Sequence, residues 1–309
     1  MPGAGRRPMR ERYGRRALVR GTGAGACLLL ANCIPGGLPD LGGPEIAVER
    51  DIAYAPRAEA LLDVYHPATA TGPLPVILYF HGGGWQVGRK DELQDMLFAR
   101  RLAARGAVVI SANYRLAPDA CFPNFLEDGA EAALWAHRNV AQRGGDPGRL
   151  YFAGHSAGAY NAVKLAVDRR YVASAGLPPE AVQGAIGIAG LFTERCMDWP
   201  LLSAVFPPSV REAAPATRRL GPDTPPLLLL AGSLDFVVPP RETRLLAEAA
   251  RAAGTPVEAI VYPGFGHLDL LASGPWLPSA APMLRDIARF VGTGPIPAAP
   301  AVGGQPRRT

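Results

Sequence analysis

Gly154-His155-Ser156-Ala157-Gly158 is the stretch of sequence that decides the fold. The apolar run at 149–153 before it is typical of a strand, and residues 160–167 after it are typical of a helix. So tight a strand–turn–helix connection needs glycine two residues before and two residues after the serine, because side chains there would clash. The turn lifts the serine hydroxyl above the sheet edge and points the amide of Ala157 into the same space.

Strand-like and helix-like patterns alternate along the rest of the chain. Runs that are apolar on both faces are typical of central strands covered by helices, and alternation with helices predicts βαβ crossovers. The sequence therefore predicts an α/β fold with a mostly parallel central sheet and helices on both faces. Strands are predicted at 46–52, 61–65, 76–80, 107–113, 149–153, 182–189, 226–230 and 257–262, and helices at 93–105, 126–143, 160–167, 240–253 and 283–291.

Residues 34–293 are predicted to form one domain. Within it, residues 191–224 break the alternation and are rich in proline and aromatic side chains, so we expect them to form a small cap-like insertion over the carboxyl edge of the sheet. Residues 294–309 consist mostly of proline, alanine and glycine, which predicts a disordered tail.

Residues 1–33 are predicted to be an export signal. Gly14-Arg15-Arg16-Ala17-Leu18-Val19-Arg20 resembles a twin-arginine signal and precedes a short apolar run. Leu30-Ala31-Asn32-Cys33 resembles a lipoprotein cleavage box, which would anchor the protein to a membrane through lipid on Cys33. Asn32 stands where that box has Gly, Ala or Ser, so lipid anchoring stays open. These motifs predict a periplasmic or cell-surface protein, and the alternative is a cytoplasmic enzyme with a basic tail.

Composition excludes several classes of protein. Of the net charge of +5, +6 comes from residues 1–20 and +2 from Arg307 and Arg308, so the remaining body carries −3 and lacks the basic surface of a nucleic-acid-binding domain. The sequence has no phosphate loop and no cluster with metal-ligand spacing, so neither a cofactor nor a metal is predicted. Cys121 and Cys196 either pair, in an exported protein, or lie buried as small apolar side chains.

A nucleophilic serine needs a base that takes its proton and a carboxylate that orients the base. Downstream of Ser156, Asp235 and His267 each follow a predicted strand at its carboxyl end, where ligand-binding groups collect in such sheets. His267 is the only histidine on the carboxyl side of Ser156. The predicted catalytic residues are therefore Ser156, His267 and Asp235, with Asp269 as the alternative carboxylate.

A glycine-rich run, His81-Gly82-Gly83-Gly84-Trp85, follows the third predicted strand. Amides of Gly83, Gly84 and Ala157 are predicted to form an oxyanion hole, in which each donor contributes about 3 kcal/mol to binding of the transition state. Trp85 adjoins this hole and is predicted to bind substrate. His81 and His155 flank the two motifs and are predicted to bond backbone groups rather than to react.

Residues 60–290 resemble the carboxylesterase branch of the α/β-hydrolase superfamily, near its bacterial feruloyl-esterase-like and hormone-sensitive-lipase-like members. The lipase-like side usually has an acidic residue before the serine, Asp-Pro at the acid and His-Gly-Phe at the histidine. His155, Asp235-Phe236 and His267-Leu268 depart from that pattern and favour the feruloyl-esterase-like side. The matching segments are Leu62-Asp63-Val64-Tyr65, 81–85, Asn113-Tyr114-Arg115-Leu116-Ala117-Pro118, 154–158, Asp235 and His267.

The resemblance implies the α/β-hydrolase fold and a two-step acyl transfer. Ser156 would attack the carbonyl of a small or medium-sized carboxylic ester, His267 would carry the proton, and Asp235 would hold the imidazole. The same groups serve the hydrolysis of formamides and other amides, as in kynurenine-formamidase-like relatives. An alternative of another class is a surface-anchored binding protein that keeps the fold without the chemistry.

Overall fold

Eight strands form a single sheet in the computed structural model, which describes residues 44–70, 72–271 and 281–292. Their order across the sheet is β1-β2-β4-β3-β5-β6-β7-β8. β1 and β2 run antiparallel to their neighbours, and β4, β3 and β5 to β8 are parallel, which confirms the predicted architecture. The strands are β1 (Ile46–Ala53), β2 (Leu61–Pro67), β3 (Leu74–Phe80), β4 (Val108–Ala112), β5 (Gly145–His155), β6 (Val182–Ile188), β7 (Leu227–Gly232) and β8 (Val257–Tyr262).

The helices follow the predicted order with changed ends. The long helix predicted at 126–143 is α2, which ends at Asn139 and continues as a 3-10 turn, Val140–Arg143. Two short helices, α4 and α5, were not predicted. The helices are α1 (Leu93–Ala103), α2 (Asn124–Asn139), α3 (Ala157–Val167), α4 (Arg170–Ser174), α5 (Glu194–Met197), α6 (Arg241–Ala252) and α7 (Ala281–Val291).

Helices cover both faces of the sheet, which explains why its central strands are apolar throughout. Along β3, Val76, Leu78 and Phe80 pack into the cluster that contains α2 and α3. The alternate residues Ile77 and Tyr79 pack into the cluster that contains α1 and α7. Because successive side chains of a strand point to opposite faces, a strand buried on both sides has no polar alternation.

The segment 191–224, between β6 and β7, holds α5 and three 3-10 turns. Its backbone carbonyls accept hydrogen bonds from two buried side chains of α3: Ala214 O from the Tyr160 hydroxyl at 2.6 Å, and Ala213 O from Lys164 Nζ at 2.8 Å. Leu201 O accepts a bond from the Gln86 side chain at 3.2 Å. The segment therefore lies against α3 and against the loop that follows β3.

Several expectations concern residues outside the described ranges. These are the export signal at 1–33, with Cys33, and the tail at 294–309. The limits of the predicted domain, 34–293, also stay predictions. Cys121 and Cys196 are both free thiols. Across the described ranges, no helix combines the length and the apolar character needed to cross a bilayer.

One buried carboxyl gives the fold a testable pH dependence. Asp95, on α1, is 2% exposed, and its Oδ1 accepts a 2.6 Å hydrogen bond from the Tyr79 hydroxyl. Burial raises the pKa of Asp95 to about 7. The folded protein therefore keeps this proton to about pH 7, whereas the unfolded chain releases it near about pH 4. The stability that depends on this proton is fully present below about pH 4 and is lost as the pH rises through about 7.

Replacing Asp95 by Asn should remove this loss, because the amide stays neutral and its oxygen still accepts the Tyr79 hydrogen bond. The free energy of unfolding of Asp95→Asn, minus that of the wild type, should rise by roughly 2–3 kcal/mol between pH 5 and pH 8. Urea titration at both pH values measures it. Asp91→Asn is the control, since Arg89 lowers the pKa of Asp91 and that carboxylate stays charged throughout this range. An equal difference at the two pH values for Asp95→Asn would contradict the assignment.

Candidate active site

Ser156 occupies a strained turn between β5 and α3, with φ at +54°. A Cβ on Gly154 would overlap the carbonyl oxygen of Gly158, and a Cβ on Gly158 would overlap that of Phe80, the last residue of β3. Both glycines are therefore required by backbone packing, as predicted. The elbow brings the first turn of α3 directly against the end of β3.

The amide of Ala157 lies at the amino terminus of α3. Amides in the first turn of a helix have no carbonyl partner within that helix, and the helix dipole makes this end positive. The methyl side chain of Ala157 has no polar atom, so the backbone amide is the group of this residue that can bind negative charge. The arrangement suits the binding of negative charge next to Ser156.

The imidazole of His267 is held by Asp235. Nδ1–H of His267 donates to Asp235 Oδ2 at 2.7 Å, and the other carboxylate oxygen accepts the amides of Val237 and Val238 at 2.9 and 2.8 Å. The Asp235 side chain is fully buried, while that of His267 is 11% exposed. Because the proton sits on Nδ1, the other ring nitrogen, Nε2, carries the basic lone pair.

Asp269 has a different partner. Its Oδ2 accepts the amide of Gly266 at 2.7 Å and so closes the loop that carries His267. Of the two carboxylates considered from the sequence, the structure places Asp235 on the imidazole.

The glycine-rich loop after β3 lies against the elbow. A Cβ on Gly82 would be 3.4 Å from the Cβ of Ser156 and 3.1 Å from Nδ1 of His155. Gly83 and Gly84 have φ of +112° and +61°, which favours glycine, and the carbonyl of Gly83 accepts the amides of Gln86 and Val87. The loop is therefore a tight turn beside the serine, where its amides were predicted to act.

The two histidines that flank the motifs bond backbone carbonyls, as predicted. Nδ1–H of His81 donates to Gly82 O at 2.7 Å, and Nε2–H of His155 donates to His267 O at 2.9 Å. Both rings are buried. Burial lowers the pKa of His81 to about 4 and that of His155 to about 3, so both are neutral at neutral pH.

The side chain of Trp85, which was predicted to bind substrate, is buried in the core. It is 0% exposed, and its Nε1–H donates to the buried Asn161 Oδ1 at 2.9 Å. The rings of Phe125, Tyr160 and Phe206 surround it at centroid distances of 5.0–5.5 Å. Trp85 is therefore a core residue that ties the glycine loop to α3 and to the segment 191–224, and it has no surface to offer a ligand.

Comparison with known proteins supports the fold. A family model described as alpha/beta hydrolase fold matches residues 77–270. The isoprenylcysteine alpha-carbonyl methylesterase of Arabidopsis thaliana is 26% identical over 269 residues, covering 79% of this chain and 62% of that protein. Esterase LipC of Mycobacterium tuberculosis is 31% identical over 267 residues, covering 78% of this chain and 65% of LipC. The chain thus spans less than two thirds of the length of either relative.

Solved structures share the fold. Esterase B from Lactobacillus rhamnosis superposes with a TM-score of 0.71 at 20% identity, covering 82% of this chain and 89% of that one. An esterase from Pyrobaculum calidifontis superposes with a TM-score of 0.64 at 26% identity, covering 81% and 85%.

The contacts of the two carboxylates predict a sharp contrast between isosteric variants. Asp235→Asn should lower kcat for p-nitrophenyl acetate roughly 10³- to 10⁴-fold, because an amide NH₂ facing Nδ1 would stabilise the wrong tautomer of His267. Asp269→Asn should stay within about threefold of wild type, because its amide oxygen can still accept the Gly266 N–H. Steady-state kinetics of both variants at pH 8 measures this. A larger loss for Asp269→Asn than for Asp235→Asn would reverse the assignment.

Proposed function

The chain belongs to the alpha/beta hydrolase fold family, and from that premise we propose that it is a serine hydrolase of small or medium-sized carboxylic esters. One observation carries the proposal: the 2.7 Å hydrogen bond from His267 to a fully buried Asp235 lies in the loops beside the strained turn of Ser156. Burying the carboxylate of Asp235 to orient an imidazole costs free energy of folding, and a protein that only binds a ligand has no need of that arrangement. The esterase names of the two curated relatives support the same activity.

In the proposed reaction, Nε2 of His267 takes the hydroxyl proton as Ser156 Oγ bonds to the carbonyl carbon of the ester. The tetrahedral intermediate collapses when the C–O bond to the alcohol breaks and His267 returns the proton to the leaving oxygen. Water then attacks the acyl-enzyme with the same proton route, which releases the acid and restores the serine. Asp235 stays ionised and stabilises the imidazolium in both steps.

The oxyanion of each tetrahedral intermediate would be bound by the amides of Gly83, Gly84 and Ala157. The amino terminus of α3 would contribute the Ala157 donor, and the two glycines follow Gly82, which lies against the elbow. Each donor is worth about 3 kcal/mol because it is fixed before the charge appears.

An apolar rim supports an ester with an apolar acyl or alcohol group as the substrate. In the described part of the chain, the large apolar side chains that are at least half exposed all belong to loops around the proposed site. Two lie near the glycine loop, and the rest flank Asp235 and His267. They are Val87, Leu201, Leu234, Phe236, Val237 and Leu268. Exposed apolar patches of this kind commonly mark binding sites.

A substrate panel tests the proposal. The wild type should hydrolyse p-nitrophenyl acetate and butyrate with a kcat/KM at least about tenfold above that for N-formylkynurenine. Ser156→Ala should lose roughly 10⁴-fold or more of kcat, because the nucleophile is absent. It should also fail to react with a fluorophosphonate probe that labels the wild type.

The Ser156→Ala variant should keep its melting temperature within about 2 °C, because a small side chain that is 8% exposed is shortened by one atom. Faster turnover of N-formylkynurenine than of the esters would indicate the amide-hydrolase alternative. Ester hydrolysis retained by Ser156→Ala, or a wild type inert to fluorophosphonate, would overturn the serine-hydrolase proposal.

We further propose that the protein is exported to the periplasm or the cell surface. The support is the sequence around Arg15 and Arg16, with the apolar run that follows it. Lipid on Cys33 would hold the enzyme at the membrane.

Cell fractionation tests export. In a bacterial host with a twin-arginine translocase, the wild type should appear in the envelope or periplasm, whereas a variant with Arg15 and Arg16 both changed to Lys should stay in the cytosol. The matched control changes the pair Arg6 and Arg7 to Lys, which lies outside the signal-like motif. Cytosolic wild-type protein of full length would refute export, and palmitate incorporation lost in Cys33→Ser would establish the lipid.

A further inference from the structure

His155, the residue before the serine, contacts three of the four loops that make up the proposed site. It ends β5 and so enters the elbow directly. Its Nδ1 is 3.1 Å from the position that a Cβ on Gly82 would take, in the glycine loop after β3. Its Nε2 is 2.9 Å from the carbonyl oxygen of His267, in the loop after β8, and the two rings are 4.6 Å apart.

The chemistry of these contacts fixes the state of the ring. A carbonyl oxygen can only accept, so the proton of the neutral imidazole is on Nε2. Nδ1 then carries a lone pair and lies next to Gly82, which has no side chain. A proton added to Nδ1 would therefore contact the backbone of Gly82 and would not be solvated by water. His155 is 3% exposed, and the titratable groups that act on it are the imidazole of His267 and the carboxylate of Asp235.

The hydrogen bond acts on the backbone of the proposed base. The imidazole of His267 is tethered at its far end by Asp235, at 2.7 Å, and its main chain is tethered by His155. Two tethers on one residue, one at the side chain and one at the carbonyl, fix where the ring stands relative to Ser156. Displacement of about 1 Å at such a base can cost about 100-fold in rate.

We propose that His155 is a positioning residue, whose neutral imidazole donates a hydrogen bond to the carbonyl of His267 and thereby sets the alignment of that base with Ser156. The inference rests on the proposed ester hydrolysis and adds His155 to the residues that support it. Neutrality is part of the role, because a cation beside His267 would oppose the imidazolium that forms during catalysis.

Two substitutions of similar volume separate positioning from packing. In His155→Gln the amide nitrogen takes the place of Nε2 and can still donate to the carbonyl, whereas His155→Leu fills the site without a donor. We expect kcat of His155→Gln for p-nitrophenyl acetate to stay within about fivefold of wild type. For His155→Leu we expect a fall of about 10- to 100-fold with KM changed less than about threefold. The rate of fluorophosphonate labelling should fall in parallel with kcat.

A second measurement does not depend on activity. Long-range ¹H–¹⁵N spectra of the histidine rings in the wild type, assigned with His155→Gln, should show residue 155 as the neutral Nε2–H tautomer from pH 5 to pH 8. An Nδ1–H tautomer, or a ring that becomes charged by pH 6, would overturn the proposal.

The kinetic outcomes also decide between the alternatives. Equal losses in the Gln and Leu variants, with equal falls in melting temperature, would show that His155 only fills space, and wild-type kcat in the Leu variant would show that it does nothing. If the wild type neither hydrolyses esters nor reacts with fluorophosphonate, the proposed function fails. The tautomer measurement then still shows whether His155 holds residue 267.

Discussion

The close approach of α3 to the ends of β3 and β5 is the constraint on which the site depends. Backbone meets backbone there without intervening side chains, since a Cβ on Gly154 or Gly158 would overlap a carbonyl oxygen. This contact forces Ser156 into its left-handed turn and places the amino terminus of α3 beside the loop at Gly82. The positions of the proposed nucleophile and of the Ala157 amide are thus set by main-chain packing.

Among the buried polar groups around this elbow, the carboxylate of Asp235 is charged, whereas the rings of His81 and His155 are neutral. Asp235 is buried as an acceptor of two amides and one imidazole N–H. The rings of His81 and His155 bond carbonyls and are kept neutral by burial. In the proposed reaction, the positive charge that develops on His267 would therefore lie next to the carboxylate of Asp235 and the neutral ring of His155. That balance favours the imidazolium when it is needed without holding it permanently.

Features encoded by short runs of residues could be predicted from the sequence, whereas long-range contacts could not. The order of strands and helices and the glycines of the elbow follow from local patterns, and the fold was predicted correctly. The burial of Trp85 could not be predicted, because an aromatic ring next to a glycine loop can face solvent or core and its partners, such as Phe206, are distant in sequence. The choice of Asp235 over Asp269 and the contact of His155 with residue 267 likewise depend on how loops far apart in sequence meet.

His155 stands where the lipase-like pattern has an acidic residue, and this difference decides the direction of the hydrogen bond to the loop of His267. An ionised carboxylate at position 155 could only accept a hydrogen bond, so it would need an N–H in the facing loop. His155 instead donates, and it needs the carbonyl that residue 267 presents. A carboxylate at position 155 would face the carbonyl of residue 267 as a second acceptor, and no hydrogen bond could form between them. A neutral donor at position 155 is therefore what the observed arrangement of this loop requires.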